Sequence, residues 1–265
     1  MYDFNYVKPR TLTEASQLLA DDFEAKALAG GMTFIPVLKQ RLNKPSVVVD
    51  LAGLGLAGIR QDGEHVVIGA MTTHGEIAAS EMVRRAVPGL AELAGNIGDR
   101  QVRFRGTLGG SLANNDPSAC YPAAVLALDA MIQTNHRSIS PAEFFLGMFA
   151  TALEPGELIT EVRFPRVERA AYAKFANPAS HYAMVGVFAA KTAAGARVAV
   201  TGAGQSGVFR HAAMEQALDK NFTPEALDHV ETPLDLMNGD IHGSAGYRAH
   251  LVGVMAKRAV AAALG

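Results

Sequence analysis

Residues 28–51 read LAGGMTFIPVLKQRLNKPSVVVDL, and the hydrophobic period changes twice within them. A strand over residues 26–29 runs into Gly30-Gly31. Over residues 33–42, Phe34, Val37, Leu38 and Arg41 recur at helix spacing, and Pro36 is tolerated because the first helical turn makes no use of its missing N–H. Residues 47–51, VVVDL, then read as a buried strand from their β-branched run. Strand, glycine turn, helix and strand make one small β-α-β unit. Upstream, Thr11-Leu-Thr-Glu14 reads as a capping box opening a short helix with Ala15, Leu18 and Leu19 on one face.

Downstream, the glycine-rich residues 52–63 form a boundary, after which a strand over 65–70 and a capping box at Thr73-His-Gly-Glu76 begin a second α/β unit. Helical patterns cover 87–94 and 117–128. Residues 105–111, RGTLGGS, read as a turn, because paired glycines disfavour a helix. Ser140-Pro-Ala-Glu143 reads as a third capping box, and residues 157–164 alternate as a strand does. From residue 171 the texture changes to two strands, over 182–191 and 196–201, followed by three helical stretches, the last over 244–264. Strands followed by helices predict an α+β third unit.

The chain has 265 residues, enough for more than one core, and its net charge of -2 has no block of like charges. That excludes the basic footprint of a nucleic-acid binder. The single cysteine, Cys120, excludes an intrachain disulfide and any iron-sulfur cluster held by this chain alone. Redox chemistry would therefore need an organic cofactor or a partner. No apolar stretch is long enough for a membrane span, and the opening residues lack a signal-peptide core, so the expected location is cytoplasmic.

Two kinds of glycine motif stand out. Gly202-Ala-Gly204-Gln-Ser-Gly207 has dinucleotide-fingerprint spacing after a strand, but no second parallel strand with an acidic end follows it, so it reads as a loop. The pairs Gly30-Gly31 and Gly109-Gly110 are more informative. Paired glycines let an anionic group approach backbone N–H groups closely, and two such loops in successive units match the two halves of a pyrophosphate. His74, His136 and His242 are scattered and read as surface or capping residues. Arg100, Arg103 and Arg105 suit either a phosphate, a docking partner or a solvated face.

The blocks 28–51, 68–74 (IGAMTTH), 97–118 (IGDRQVRFRGTLGGSLANNDPS) and 244–259 (SAGYRAHLVGVMAKRA) together resemble the FAD-binding medium subunits of molybdenum hydroxylases. That is the family of the carbon monoxide dehydrogenase medium subunit and the flavin subunit of bacterial xanthine dehydrogenases. The resemblance implies an α+β fold of two α/β FAD-binding subdomains, at 1–56 and 57–168. A C-terminal subdomain, 169–265, would carry a three-stranded antiparallel sheet and helices. It implies that Ala29, Gly30, Gly31, Met32 and Thr33, with Thr107, Leu108, Gly109, Gly110 and Ser111, hold the FAD diphosphate and its neighbours through backbone amides. Asp116 matches an acidic residue after the second loop, Ile97 an apolar contact near the adenine, and Tyr182 a residue against the isoalloxazine ring.

The resemblance further implies electron transfer to an external acceptor, from iron-sulfur clusters on a small subunit served by a large molybdenum subunit. Two departures bear on the flavin. Asp116-Pro-Ser-Ala-Cys120 ends in a thiol where the family commonly has a second Asp, and His181 precedes Tyr182 where Asp is frequent. These departures leave as one alternative a structural or interaction subunit with weak or no flavin, and the motif at residues 202–207 leaves a second, a nicotinamide-dependent oxidoreductase.

Overall fold

A computed structural model describes all 265 residues. The chain opens with β1 (Asn5–Val7), α1 (Leu12–Asp21), β2 (Lys26–Leu28), α2 (Phe34–Lys39) and β3 (Val47–Asp50). The three strands form a parallel sheet in the order β1-β3-β2, which places the β-α-β unit where the sequence puts it. Thr11 caps α1 by accepting from the Glu14 N–H, but the Glu14 carboxylate accepts from the Arg10 N–H, so the reciprocal bond of a capping box is displaced by one residue.

The second unit begins with β4 (Ile59–Asp62) and β5 (His65–Gly69). Six helices follow: α3 (His74–Ala79), α4 (Glu81–Ala86), α5 (Pro88–Gly95), α6 (Arg100–Arg105), α7 (Leu108–Asn114) and α8 (Tyr121–Ala127). Next come β6 (Met131–Thr134), β7 (Ser138–Ile139), α9 (Pro141–Phe144), β8 (Phe145–Gly147), β9 (Ala150–Thr151) and β10 (Ile159–Pro165). Its main sheet runs β4-β5-β10-β6-β7 with every pair antiparallel. Thr73 and Glu76 make the expected capping box at α3.

Residues 105–111 are not the turn that their glycine content predicts. Thr107 caps α7 by accepting from the Gly110 N–H at 3.2 Å, and Leu108 and Leu112 are fully buried. Burial of two leucines, about 2 kcal/mol each, outweighs about 1 kcal/mol of helix propensity lost per glycine. At 140–143 the helix is a single turn, and the Ser140 hydroxyl donates to the Glu143 carboxylate rather than capping the backbone.

The third unit contains β11 (Arg169–Ala176), β12 (Ala183–Thr192), β13 (Gly195–Thr201), β14 (Phe209–Arg210), α10 (Ala212–Lys220) and α11 (Ala245–Leu264). Its sheet, β11-β12-β13-β14, is antiparallel with four strands rather than the three expected. The fourth pairs only Ala199 with Arg210 and Val200 with Phe209, too short to show an alternation in sequence. β12 is buried on both faces. Phe188 and Ala190 face the core of the second unit, while Val185, Val187 and Ala189 face α10 and α11, so two hydrophobic cores meet across one strand. No helix is long and apolar enough to cross a membrane.

The first unit is fastened to the second by polar contacts. The Ser16 hydroxyl donates to the Gly156 carbonyl at 2.7 Å, and the Asn135 amide reaches the same pair. Next to them, the Glu157 side chain is fully buried against Arg137. Burial alone would raise its pKa, but the Arg137 guanidinium, the Glu154 N–H and the Thr134 hydroxyl outweigh burial and hold the carboxyl at about 2. A pKa lower in the folded than in the unfolded chain adds stability that is full above about pH 4.5 and lost as pH falls toward 2. Glu157→Gln is expected to lower stability at pH 7 by about 2 kcal/mol and to flatten the acid loss in that window, measured by urea unfolding across pH.

Candidate functional site

The two Gly-Gly segments pack side by side in the wall of a cleft of about 490 Å³ between the first and second units, closed at one end by the third. Their approach requires glycine. A Cβ on Gly30 would lie 2.0 Å from the Arg105 carbonyl oxygen, and one on Gly110 would lie 3.2 Å from the Ala29 Cβ. Gly31 has φ +76°, in the left-handed region that other residues enter only with strain.

Hydrogen bonding separates the loops by role. The N–H groups of Ala29, Gly30, Gly31, Met32 and Thr33 have no acceptor within the chain. In the second loop, Leu108 N–H donates to Thr72 O, Gly109 N–H to Ala70 O, Gly110 N–H to the Thr107 hydroxyl and Ser111 N–H to Thr107 O. The first loop thus offers free backbone donors. The second supplies a rigid wall, with Ser111 as a polar side chain in the lining.

Every site position expected from sequence lines this cleft except Leu108, whose side chain is fully buried in the core beneath α7. Ile97 and Tyr182, expected at different parts of a flavin dinucleotide, share one end. They are brought together by Lys174 on β11, whose Nζ donates to Asn96 O at 2.5 Å and to His181 O at 3.0 Å and lies 3.8 Å from Cys120 Sγ. Sequence reading missed Lys174. Its only signal is one cation inside an alanine-rich strand, and it has no carboxylate partner.

At this end the Cys120 thiol is buried, and burial pushes its pKa up against the pull of the Lys174 ammonium. Tyr182 is half exposed, and its phenol pKa is raised by burial and by the Asp116 charge. One Asp116 oxygen accepts from the Ser118 N–H at 2.8 Å. Arg103 donates to the carbonyls of Ile97 and Gly98, which braces that turn, while Arg100 and Arg105 are exposed.

His74 is not the surface residue its sequence context suggests. It is buried beside Tyr121, lines the cleft, and its Nδ1 has no partner. Residues 202–207 lie outside the cleft, in an antiparallel β13–β14 connection with no helix starting among the glycines, which is not the geometry of a dinucleotide fingerprint.

Two families match the chain end to end: "FAD binding domain in molybdopterin dehydrogenase" over residues 2–167 and "CO dehydrogenase flavoprotein C-terminal domain" over residues 170–263. The carbon monoxide dehydrogenase medium chain of Hydrogenophaga pseudoflava is 34% identical, covering 98% of this chain and 96% of its own. The alpha subunit of the 6-hydroxypseudooxynicotine dehydrogenase complex of Paenarthrobacter nicotinovorans is 33% identical over 98% of this chain and 94% of its own. Among solved structures, carbon monoxide dehydrogenase from Hydrogenophaga pseudoflava superposes with TM-score 0.88 at 34% identity over 98% of this chain and 97% of that one. Quinoline 2-oxidoreductase from Pseudomonas putida 86 does so with TM-score 0.88 at 30% identity over 98% and 96%.

Burial, and then the Arg103 charge, lower the His74 pKa from 6.5 to about 4, so the ring is neutral at pH 7. A base with a depressed folded pKa adds stability that is full above about pH 6.5 and lost as pH falls toward 4. A histidine-resolved NMR titration is expected to find His74 uncharged at pH 6, and His74→Leu should reduce the pH dependence of stability between 6.5 and 4.

Proposed function

Since this chain belongs to the family of FAD-binding medium subunits of molybdenum hydroxylases, we propose that it relays electrons from a partner's iron-sulfur clusters to an external acceptor. It is an oxidoreductase subunit whose cofactor is FAD. The observation that carries the reading is the row of unpartnered N–H groups at Ala29–Thr33, beside the glycine pair of α7 in the wall of one cleft. Such donors suit a diphosphate, which brings several acceptor oxygens and no hydrogen-bond donors of its own when ionised. Bound FAD would supply the redox chemistry, taking up and giving out one or two electrons.

The chain's own residues bind, orient and shield. Gly30, Gly31, Met32 and Thr33 would hold the diphosphate, with Gly109, Gly110 and Ser111 as the adjoining wall. Ile97, Asp116, Cys120 and Tyr182 would take the ring end, where Lys174 leaves an uncompensated positive charge that favours electron-rich groups. In this scheme the FAD subdomains are residues 1–56 and 57–168, and residues 169–265 close the ring end. The partners are a small iron-sulfur subunit and a large molybdenum subunit. Relatives named as medium chains and complex subunits support that assembly, as does a chain with one buried cysteine.

Titrating the purified chain with FAD and following flavin fluorescence is expected to show saturable, noncovalent binding. Gly31→Val should weaken it by at least about 1.5 kcal/mol, because a branched side chain resists the left-handed backbone and crowds the donors. Under anaerobic conditions a hydroxylase substrate should bleach the flavin only when the co-encoded subunits are present. A chain that takes up no FAD would favour the structural-subunit alternative, and rapid bleaching in the isolated chain would overturn the relay.

A further inference from the structure

The glycine motif at 202–207 has no nucleotide geometry, yet its first residues touch the cleft from behind. Asp116, Ser118, Ala119 and Cys120 line the ring end of the cleft, and the segment that carries them belongs to no strand and no helix. Within itself it is held only as a turn, by Ser118 N–H to Asp116 Oδ1 and Ala119 N–H to Asp116 O. On its far side, fully buried Thr201 at the end of β13 places its hydroxyl 2.9 Å from Pro117 O and 2.7 Å from Ala119 O. The Gly202 N–H donates to Pro117 O at 2.8 Å.

The carbonyls of Pro117 and Ala119 are therefore bonded to the third unit, while Asp116, Ser118, Ala119 and Cys120 line the cleft. Thr201 is the sole side chain that satisfies Ala119 O. Gly202 reaches Pro117 because it sits at φ +80°, where a Cβ would lie 2.3 Å from Ala183 O. Its carbonyl is in turn held by Arg248, buried in α11, which donates to Gly202 O at 2.9 Å and Met184 O at 2.6 Å and pairs with Asp240. Asp240, Arg248, Gly202 with Thr201, and the cleft wall thus form one chain of polar contacts from the surface of the third unit inward.

We propose that Thr201, seconded by the Gly202 amide, is a positioning residue for the cofactor: it clasps the Asp116–Cys120 wall to the third unit and sets the shape of the ring end. The sense of "cofactor" rests on the flavin reading above, but the clasp itself can be tested without flavin. Buried Cys120 is the reporter, as the chain's single thiol.

The experiment measures the rate of Cys120 labelling by a thiol-specific disulfide reagent in the full chain without FAD, alongside the thermal midpoint and, separately, FAD affinity. Thr201→Val, which keeps volume and loses the hydroxyl, is expected to be labelled at least ten-fold faster and to bind FAD at least ten-fold more weakly. Thr201→Ser, which keeps the hydroxyl, should stay near the parent in both. Val198→Ala on the same strand, facing the other core, controls for general loss of stability. Parental labelling in Thr201→Val, or equally fast labelling in Val198→Ala at the same midpoint, overturns the clasp. Should Thr201→Val not fold, native-state hydrogen exchange of the parent decides. The Ala119 and Gly202 amides must open together, in one step below global unfolding, and independent opening overturns the proposal. Failure of the parent to bind FAD would count against the flavin reading and leaves the labelling result to judge the clasp.

Discussion

The contact between Gly30 and the carbonyl of Arg105 is the constraint from which the rest of the cleft follows, because at 2.0 Å from that oxygen no Cβ can stand. The glycine turn of the first unit and the end of α6 can meet there only as bare backbone. Residues 29–33 line the cleft beside this contact, and nothing in the chain accepts from their N–H groups. None of residues 29–33 is buried, so water can reach these N–H groups, and a row of free donors lining a cleft is available to an anionic ligand. The second loop contributes differently. From Leu108 to Ser111 its amides are engaged in capping α7 and in bonding residues 70 and 72, so that stretch gives rigidity rather than donors.

Around this contact, three units are arranged so that each borrows structure from the next. The first has a core of only four buried residues, one of which, Leu158, belongs to the second unit. A core so small cannot stand alone. The second and third share β12, buried on both faces, and α5 approaches β11 so closely that a Cβ on Gly89 would lie 2.7 Å from the Ala171 Cα. The cleft therefore sits where independently moving parts would be expected, yet its walls are tied by packed strands, by Ser16 and Asn135 at one side and by Lys174 and Thr201 at the other.

The end of the cleft at Tyr182 combines burial with an unpaired cation. Lys174 is held by two carbonyls from different units, and a carbonyl dipole orients an ammonium without cancelling its charge. Cys120 beside it stays a neutral thiol because burial outweighs the pull of the lysine. A carboxylate in the same place would pair with Lys174 and remove the local field. An Asp in place of Cys120 would thus be an electrostatic change, made in a wall whose carbonyls bond Thr201 and Gly202.

Sequence alone determined the elements whose evidence is local and periodic. These are the β-α-β unit of residues 26–50, the capping box at Thr73 and Glu76, the long C-terminal helix and the two glycine pairs that lie in the cleft. It also determined the family, through motifs spread along the chain. Tertiary structure decided what depends on partners far apart in sequence. Two-residue β14 exists only because β13 offers it an edge, and α7 forms against its own glycines because Leu108 and Leu112 find a core. His74 is buried beside Tyr121, Lys174 reaches the Asn96 carbonyl 78 residues away, and Thr201 reaches carbonyls 82 and 84 residues away. Periodicity records which face of an element is apolar, whereas these residues act through single polar contacts, and a single contact leaves no period to read.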